Sequence, residues 1–137
     1  MPRGILPRHL GPISDNRVNS GESTHGISAT VRFVAVAGDS TYNWVNDTPF
    51  TFLVTRAYGY MTGAGAASDT AVLQRVRTGT TTAITNTADV SVMSDTDQWD
   101  FGQINDAANS VASGDTLRLT TASGALTNVF AEGFWVE

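Results

Sequence analysis

Wherever the apolar residues of this chain repeat at all, they repeat at every second position. The clearest case is Thr116–Thr120, where Leu117 and Leu119 alternate with polar residues. Phe50–Tyr60 alternates over a longer stretch, and its large side chains are predicted to share one face: Phe50, Phe52, Val54, Tyr58 and Tyr60. A period of two places alternate side chains on opposite faces of a β-strand, whereas an amphipathic helix needs a period near 3.6. The pattern therefore predicts an all-β fold.

Turn residues divide the rest of the chain into further strands, at the spacing typical of an antiparallel β-sandwich. About eight strands are predicted in this way: Thr30–Val36, Phe50–Tyr60, Thr70–Arg77, Thr80–Thr85, a short strand at Val90 and Val92, Trp99–Ile104, Thr116–Thr120 and Thr127–Val136. Only Asn105–Val111 has the composition for one helical turn. The last strand is apolar on both faces apart from Glu132, which indicates a central strand or one covered by another subunit.

The first residues have a different character from this β body. Pro2, Pro7 and Pro12 argue against a helix or a central strand and favour an extended arm. The arm also carries apolar and basic side chains, namely Arg3, Ile5, Leu6, Arg8, Leu10 and Ile13. A polar stretch at residues 15–28 joins it to the body. We therefore expect an arm and linker at residues 1–27, which grips another protein, and a single sandwich domain at residues 28–137.

Composition removes several classes of function. The chain has 137 residues and a net charge of −5, and the body carries five arginines against eleven acids, so it should repel nucleic acid. It contains no lysine, which excludes Schiff-base chemistry and a polybasic membrane patch, and no cysteine, which excludes disulfides and thiolate catalysis. No apolar run resembles a secretory signal or a membrane span, so we expect neither.

No motif predicts catalysis or a cofactor. His9 and His25, the two histidines, lie in the arm and linker, where neither is held against a partner residue. Asp95, Asp97 and Asp100 are the best candidates for calcium ligands, but Trp99 occupies the position of a third oxygen ligand, so we interpret the run as an acidic turn.

Three other features have ordinary interpretations. The segment at residues 63–67 (GAGAA) lacks the helix and lysine of a phosphate-binding loop and is predicted to be a plain loop. Asn46 begins a sequon that we interpret as a loop and not a glycan site. Trp44, Trp99 and Trp135 are of the type that binds sugars, yet such residues more often belong to a core or an interface.

The arrangement from Phe50 onward resembles the jelly-roll decoration, or cement, proteins of tailed-phage capsids. The residues that carry the resemblance are the strand FTFLVTRAYGYM, the small-residue loop after it, the strand entered at Ser68-Asp69-Thr70, and the segment VASGDTL at residues 111–117 leading into a final hairpin. The resemblance implies a β domain, commonly trimeric, that sits on the outer surface of the shell after synthesis in the host cytoplasm. It also implies a terminal arm that reaches across the major capsid protein.

These observations favour a non-enzymatic structural protein, a jelly-roll homotrimer that docks on a phage capsid through its N-terminal arm and stabilises the shell. The predicted subunit interface is formed by the last strand, through Phe130, Phe134, Trp135 and Val136. The alternative is a carbohydrate- or receptor-binding sandwich of a virion fibre or a secreted enzyme, with Trp44 or Trp99 as its platform. An enzyme is the third possibility. No cofactor, metal, nucleic acid or membrane is expected to take part.

Overall fold

The computed structural model describes residues 27–137. All six predicted arm residues, Arg3 to Ile13, lie outside this range, as do both histidines. The described part contains ten β-strands and no helix. The strands are β1 (Ile27–Val34), β2 (Thr41–Val45), β3 (Thr51–Met61), β4 (Thr70–Arg77), β5 (Thr80–Ala83), β6 (Ala88–Asp89), β7 (Gln98–Asp100), β8 (Ser110–Val111), β9 (Thr116–Ala122) and β10 (Thr127–Val136).

The strands form two antiparallel sheets packed face to face. In the front sheet the order is β1-β10-β3, and both β7 and β8 pair with the remaining edge of β3. The back sheet has the order β2-β9-β4, with β5 and β6 paired to β4. The chain alternates between the sheets from β1 to β4 and again from β8 to β10, so two Greek keys interleave. This is the jelly-roll topology, and the predicted fold class is confirmed.

The core lies between the two sheets and is built from alternate residues of each strand. Leu117 and Leu119 of β9 are fully buried, as their alternation predicts. At the end where β3 begins, Trp44 and Trp135 pack around Phe52, with ring centroids 5.7 and 5.3 Å from that of Phe52. Burying rings of this size supplies a large share of the apolar area removed from water, so these three residues stabilise the contact between sheets.

A β-bulge in β3 overturns one sequence-based assignment. Arg56 pairs with Glu132, but the next pair along is Val54 with Gly133, so Thr55 is an extra residue in β3. An extra residue moves all following side chains to the opposite face. Phe52 and Val54 therefore point into the core, while Tyr58 and Tyr60 point outward. The prediction that all of these share one face was wrong.

The strand count and some boundaries also differ from the prediction. Thr41–Val45 is a strand that was missed, and β8 is a two-residue strand that was also missed. Val90 is buried, whereas Val92 is 89% exposed, so they do not form a strand together. The predicted strand Trp99–Ile104 ends at Asp100, although Ile104 makes an isolated bridge to Thr85. In the segments around β7, β8 and Val90, only one or two side chains point into the core. Their positions are set by the neighbouring loops, so no alternating pattern is visible in the sequence.

Candidate interaction face

The outer face of the front sheet carries a ladder of three aromatic rings. Phe130 of β10 lies opposite Tyr58 of β3, and Tyr60 is its diagonal neighbour. The ring centroids of Tyr58 and Tyr60 lie 5.2 and 5.9 Å from that of Phe130, and both pairs are stacked with nearly parallel planes. Phe130 is therefore held between two tyrosines. Because the rings lean on each other, their edges form the surface that a partner would meet.

Charged groups surround Tyr58 at the centre of this face. The Tyr58 hydroxyl donates a 2.7 Å hydrogen bond to Glu132, and the Arg56 guanidinium lies 4.3 Å from the Tyr58 ring centroid. Arg56 also donates to Asp100 at 3.3 Å and lies 3.8 Å from Glu132. The hydrogen bond to Glu132 is the main cause that raises the pKa of the Tyr58 phenol above its ordinary value. The network places one arginine between two acids, so this group of four side chains keeps a net charge of −1.

The same geometry leaves little room for a sugar platform. A sugar stacks on an exposed ring face, and both faces of Phe130 are covered by tyrosines, while Arg56 lies over Tyr58. Trp99 is only 8% exposed and packs edge-on against Phe101 in the core. Trp44 is half-buried between Phe52 and Trp135. The two tryptophans proposed as platforms thus belong to the fold.

The predicted interface residues of β10 divide between the two faces of the strand. Phe130, Phe134 and Val136 lie on the outer face, and Phe134 is 41% exposed beside Leu53 of β3. Trp135 points inward and contacts Trp44 and Phe52, so part of its surface is used by the core. The strand is apolar on both faces because it is central in its sheet and also contributes to the outer aromatic ladder.

Over its described strands, the outer face of the back sheet has no aromatic side chain and is mainly polar, although Val45 is 54% exposed there and Val72 and Val76 lie on the same face. Arg118 donates to Asn43 at 2.8 Å, and Thr120 donates to Gln74 at 2.6 Å, in a row that crosses β2, β9 and β4. Polar side chains that bond to each other across strands suit a solvated surface. The two outer faces of the sandwich are therefore unlike, and the aromatic ladder occurs on the front one.

At the end of β4, in the back sheet, the side chains of Arg75 and Arg77 reach across to the front sheet. Both donate to the carbonyl oxygen of Ser110 in β8, at 3.3 and 3.1 Å. Arg77 also donates two hydrogen bonds to a single oxygen of Asp115, Oδ2, from Nη2 at 2.7 Å and from Nε at 2.9 Å. Burial alone would raise the pKa of Asp115, but hydrogen bonds from Arg77 and the Ala112 amide outweigh it and lower that pKa below its ordinary value. This cluster stabilises the junction of the sheets.

The acidic run that resembled a calcium site is dispersed. Asp100 bonds to Arg56 on the outer face, and Asp97 accepts from the Ser94 amide in a turn. Among residues 27–137, no group of three or more acidic or histidine side chains is close enough to hold a metal ion. In the same range, no helix has the length and apolar character needed to cross a membrane.

Two predicted loops are confirmed as loops. Residues 63–67 connect β3 to β4, and Gly65 has no room for a Cβ because the carbonyl of Val90 lies against it. Asn46 is fully buried, and its amide donates to the carbonyls of Phe50 and Val111 at 2.8 and 2.9 Å. A side chain engaged in this way cannot accept a glycan in the folded protein. Asn46 instead holds its loop against β8.

Sequence reasoning missed the charged part of the interaction face. Arg56, Asp100 and Glu132 were not selected as a group, because the extra residue in β3 is what brings Tyr58 to their side. Gly133 was the available signal, since glycine inside a strand often marks a bulge or a close approach of two backbones. Comparison with known proteins identifies no matching family model, no similar curated protein and no similar solved structure.

Proposed function

We propose that this protein is a non-enzymatic structural component of a phage virion, which docks on the outside of the capsid as a homotrimer and stabilises the shell. The observation that carries the proposal is the outer face of the front sheet, which has an aromatic ladder and exposed apolar side chains, on a domain whose opposite face, over the described strands, is mainly polar and has no aromatic side chain. Phe134 and Val34, at 41% and 48% exposure, are apolar groups of this face that solvent still reaches. Surfaces of this kind in soluble proteins usually bind another protein.

The front face suits contact between copies of the body. Its aromatic ring edges, together with the paired charges of Arg56, Glu132 and Asp100, resemble an interface core with a polar centre. Phe134 and Val34 are the exposed apolar side chains that the contact would cover, and the half-buried Phe130 lies on the same face. The proposed trimer contact therefore runs over β10 and the neighbouring part of β3.

The N-terminal arm is the proposed contact with the major capsid protein. Burying Ile5, Leu6, Leu10 and Ile13 contributes about 1.5–3 kcal/mol each, whereas ordering the arm costs about 1–2 kcal/mol per residue. The prolines reduce that cost because they restrict the unfolded chain. One arm alone binds weakly, but three arms on a trimer raise the effective concentration, which increases affinity by about 10²–10⁴.

The direct test is binding to capsids. The purified protein is mixed with empty capsids of the source phage, sedimented, and imaged by electron microscopy with three-dimensional reconstruction. We expect it to sediment with the capsids and to give density above the shell at local three-fold positions. A glycan array serves as the comparison, because the rival function predicts binding there. Binding to glycans without binding to capsids would refute the proposal.

A further inference from the structure

β1 is an edge strand of the front sheet, and among residues 27–137 no strand pairs with the backbone amides and carbonyls on its outer edge. On its inner side β1 pairs with β10, in unbroken register over eight residues. The Ala35 amide donates to the carbonyl of Thr127 at 2.9 Å, which assigns odd-numbered residues to the ladder with β10. The amides and carbonyls of Ser28, Thr30, Arg32 and Val34 therefore point to the open edge.

The other sheet edges are shorter or interrupted. On the far side of the front sheet, β7 and β8 have three and two residues. In the back sheet the edge strands β2, β5 and β6 have five, four and two residues. Natural proteins protect long edges with proline, lysine, bulges or inward charges. β1 has none of these and a single charge, Arg32, on its outer face.

We infer that the β1 edges of two copies of this chain pair antiparallel across a two-fold axis, with Thr30 on the axis. In this register Thr30 faces Thr30 of the second copy, and Arg32 faces Ser28. The register also keeps inward side chains opposite inward ones, because Ala29 of one copy faces Val31 of the other. Cross-strand Thr–Thr pairs are favourable, and like charges directly opposite each other are not.

The register keeps the two copies of Arg32 apart. Arg32 faces Ser28 of the second copy, so the two Arg32 residues are four positions apart along the paired strands. At about 3.4 Å per residue this is about 14 Å. Moving the axis to Arg32 would place the two guanidinium groups opposite each other, and moving it to Val31 would make them diagonal neighbours. Axes at Thr30 and at Val31 each pair seven of the eight residues of β1, more than any other axis that preserves the faces, and of these two the charge of Arg32 selects Thr30.

The N-terminal segment is the rival occupant of this edge. Its prolines are five residues apart, an odd number, so consecutive prolines point to opposite edges of any strand that contains them. A segment spanning two prolines would turn one ring into the ladder, where proline cannot donate. Residues 13–26 contain no proline, but they are rich in Gly, Asn, Asp and Ser, which are poor strand formers, whereas β1 itself has no proline and is rich in β-branched residues. On a decorated shell, pairing of β1 edges would connect neighbouring trimers across two-fold axes; that role rests on the proposed function, but the pairing does not.

The absence of cysteine from this chain permits a direct test with single-cysteine variants of the full-length protein. In the proposed pair, the Thr30 Cα atoms are about 5.5 Å apart, within the range that a disulfide spans. Val34 is the matched control, because it is exposed on the same strand and face but would lie about 27 Å from its copy. After mild oxidation, Thr30→Cys should form linked dimers about tenfold faster than Val34→Cys.

The mass of the linked product and a charge variant complete the test. On a denaturing, non-reducing gel, oxidised Thr30→Cys should run at twice the chain mass of 14.5 kDa, because the disulfide joins two chains. Thr30→Lys should weaken self-association while Thr41→Lys, on the edge strand of the other sheet, should not. Equal rates for the two cysteine variants, or no linked dimer from folded Thr30→Cys, would overturn the inference. Linking only after residues 1–14 are deleted would show that the arm occupies the edge instead. No capsid is used, so failure here leaves the proposed capsid docking untouched.

Discussion

Tyr58 lies directly opposite Phe130 on the outer face of the front sheet, and their rings stack with centroids 5.2 Å apart. Such a pair contributes about 0.5–1.5 kcal/mol beyond the area that it buries. The contact exists only because Thr55 is an extra residue in β3, since without the bulge Tyr58 would point into the core. A single inserted residue thus creates both the aromatic ladder and its contact with Glu132 and Arg56.

Replacing Phe134 with glutamate should convert the proposed trimer to monomer. Phe134 is 41% exposed in the isolated body, so its loss should change the free energy of unfolding little. A buried unpaired carboxylate at a subunit contact would instead cost several kcal/mol of association energy. Light scattering at micromolar concentration measures the effect as a fall in mass toward 14.5 kDa.

Val92→Glu is the control for this experiment. Val92 is 89% exposed and lies in a loop away from the outer front face, so the variant adds the same charge without touching the proposed contact. It should keep the mass of the parent protein. A parent protein that is already monomeric at micromolar concentration would contradict the proposed trimer.

Replacing Gly133 with alanine should destabilise the fold at the bulge. A Cβ at Gly133 would collide with the carbonyl oxygen of Leu53, a backbone atom that cannot move aside without breaking the pairing of β3 and β10. We expect a loss of about 1–3 kcal/mol in the free energy of unfolding, as for other overpacked sites. Urea denaturation measures this.

Gly59→Ala, on β3, is a second variant of the same kind, because a Cβ at Gly59 would meet the side chain of Trp99 and the carbonyl of Asn128. Gly79→Ala serves as the control, since nothing lies within 4 Å of that position and only its positive φ of 81° costs energy. If Gly133→Ala cost no more than Gly79→Ala, the bulge would not be as tightly packed as described.

Strands with unbroken alternation were predictable, and those shaped by loops were not. β9 follows its sequence pattern closely, because it buries every second side chain, and β10 does the same from Val129 to Gly133. β2 was missed although Tyr42 and Trp44 alternate in it, since its polar residues and five-residue length resemble a turn region. β7 and β8 hold too few residues for any periodicity to be visible.

The bulge in β3 could not be predicted from the alternation of apolar residues. Periodicity assigns the faces of a strand only while its pairing partner advances one residue at a time. At the bulge, the partner of Arg56 in β3 is Glu132, which is 132 − 56 = 76 residues away in sequence. Asn109 adds to the difficulty, because its side-chain amide donates to the Val54 carbonyl at 2.8 Å and replaces part of a strand there. The outer aromatic ladder follows from these distant contacts, so sequence alone placed its tyrosines on the wrong face.

Asp115 should make stability depend on pH at the acid end. Its pKa is lowered in the folded protein, so the contribution of the carboxylate is fully present above the unfolded pKa of about 4 and is lost as pH falls through the folded pKa. Asp115→Asn should cost about 1–3 kcal/mol at pH 7, because a charge-assisted bond to Arg77 is replaced by a neutral one.

The measurement is urea unfolding of the parent and of Asp115→Asn between pH 7 and pH 2. The difference in the free energy of unfolding should shrink toward the acid end of this range. Asp106→Asn is the control, because Asp106 is exposed in a turn. A difference that stays constant with pH would mean that the carboxylate charge does not stabilise the junction of the sheets.

Chelators should leave the melting temperature unchanged. Asp100 accepts from Arg56 and from the Gly102 amide, and Asp97 accepts from the Ser94 amide, so these two carboxylates are engaged within the fold and the described residues do not gather three acids around one point. Differential scanning fluorimetry with and without a chelator provides the comparison. A fall of about 5 °C or more that calcium reverses would reveal a bound ion that stabilises the native state.

Deleting Met1–Ser14 should leave a folded, soluble oligomer that no longer binds capsids. The ten strands that the structure describes, all within residues 27–137, already enclose a buried core, so we expect that core to form without residues 1–14, which hold the proposed apolar anchors and Arg3 and Arg8. Replacing Ile5, Leu6 and Leu10 together with serine should weaken capsid binding by several kcal/mol, at about 1.5–3 kcal/mol per anchor. Arg3→Ala with Arg8→Ala should chiefly reduce the dependence of binding on salt.

Co-sedimentation with capsids measures the binding, and circular dichroism and light scattering establish that each variant keeps its fold and mass. If the truncated protein decorates capsids as tightly as the intact chain, attachment must occur through the body, and the front face of β10 and β3 becomes the first surface to mutate.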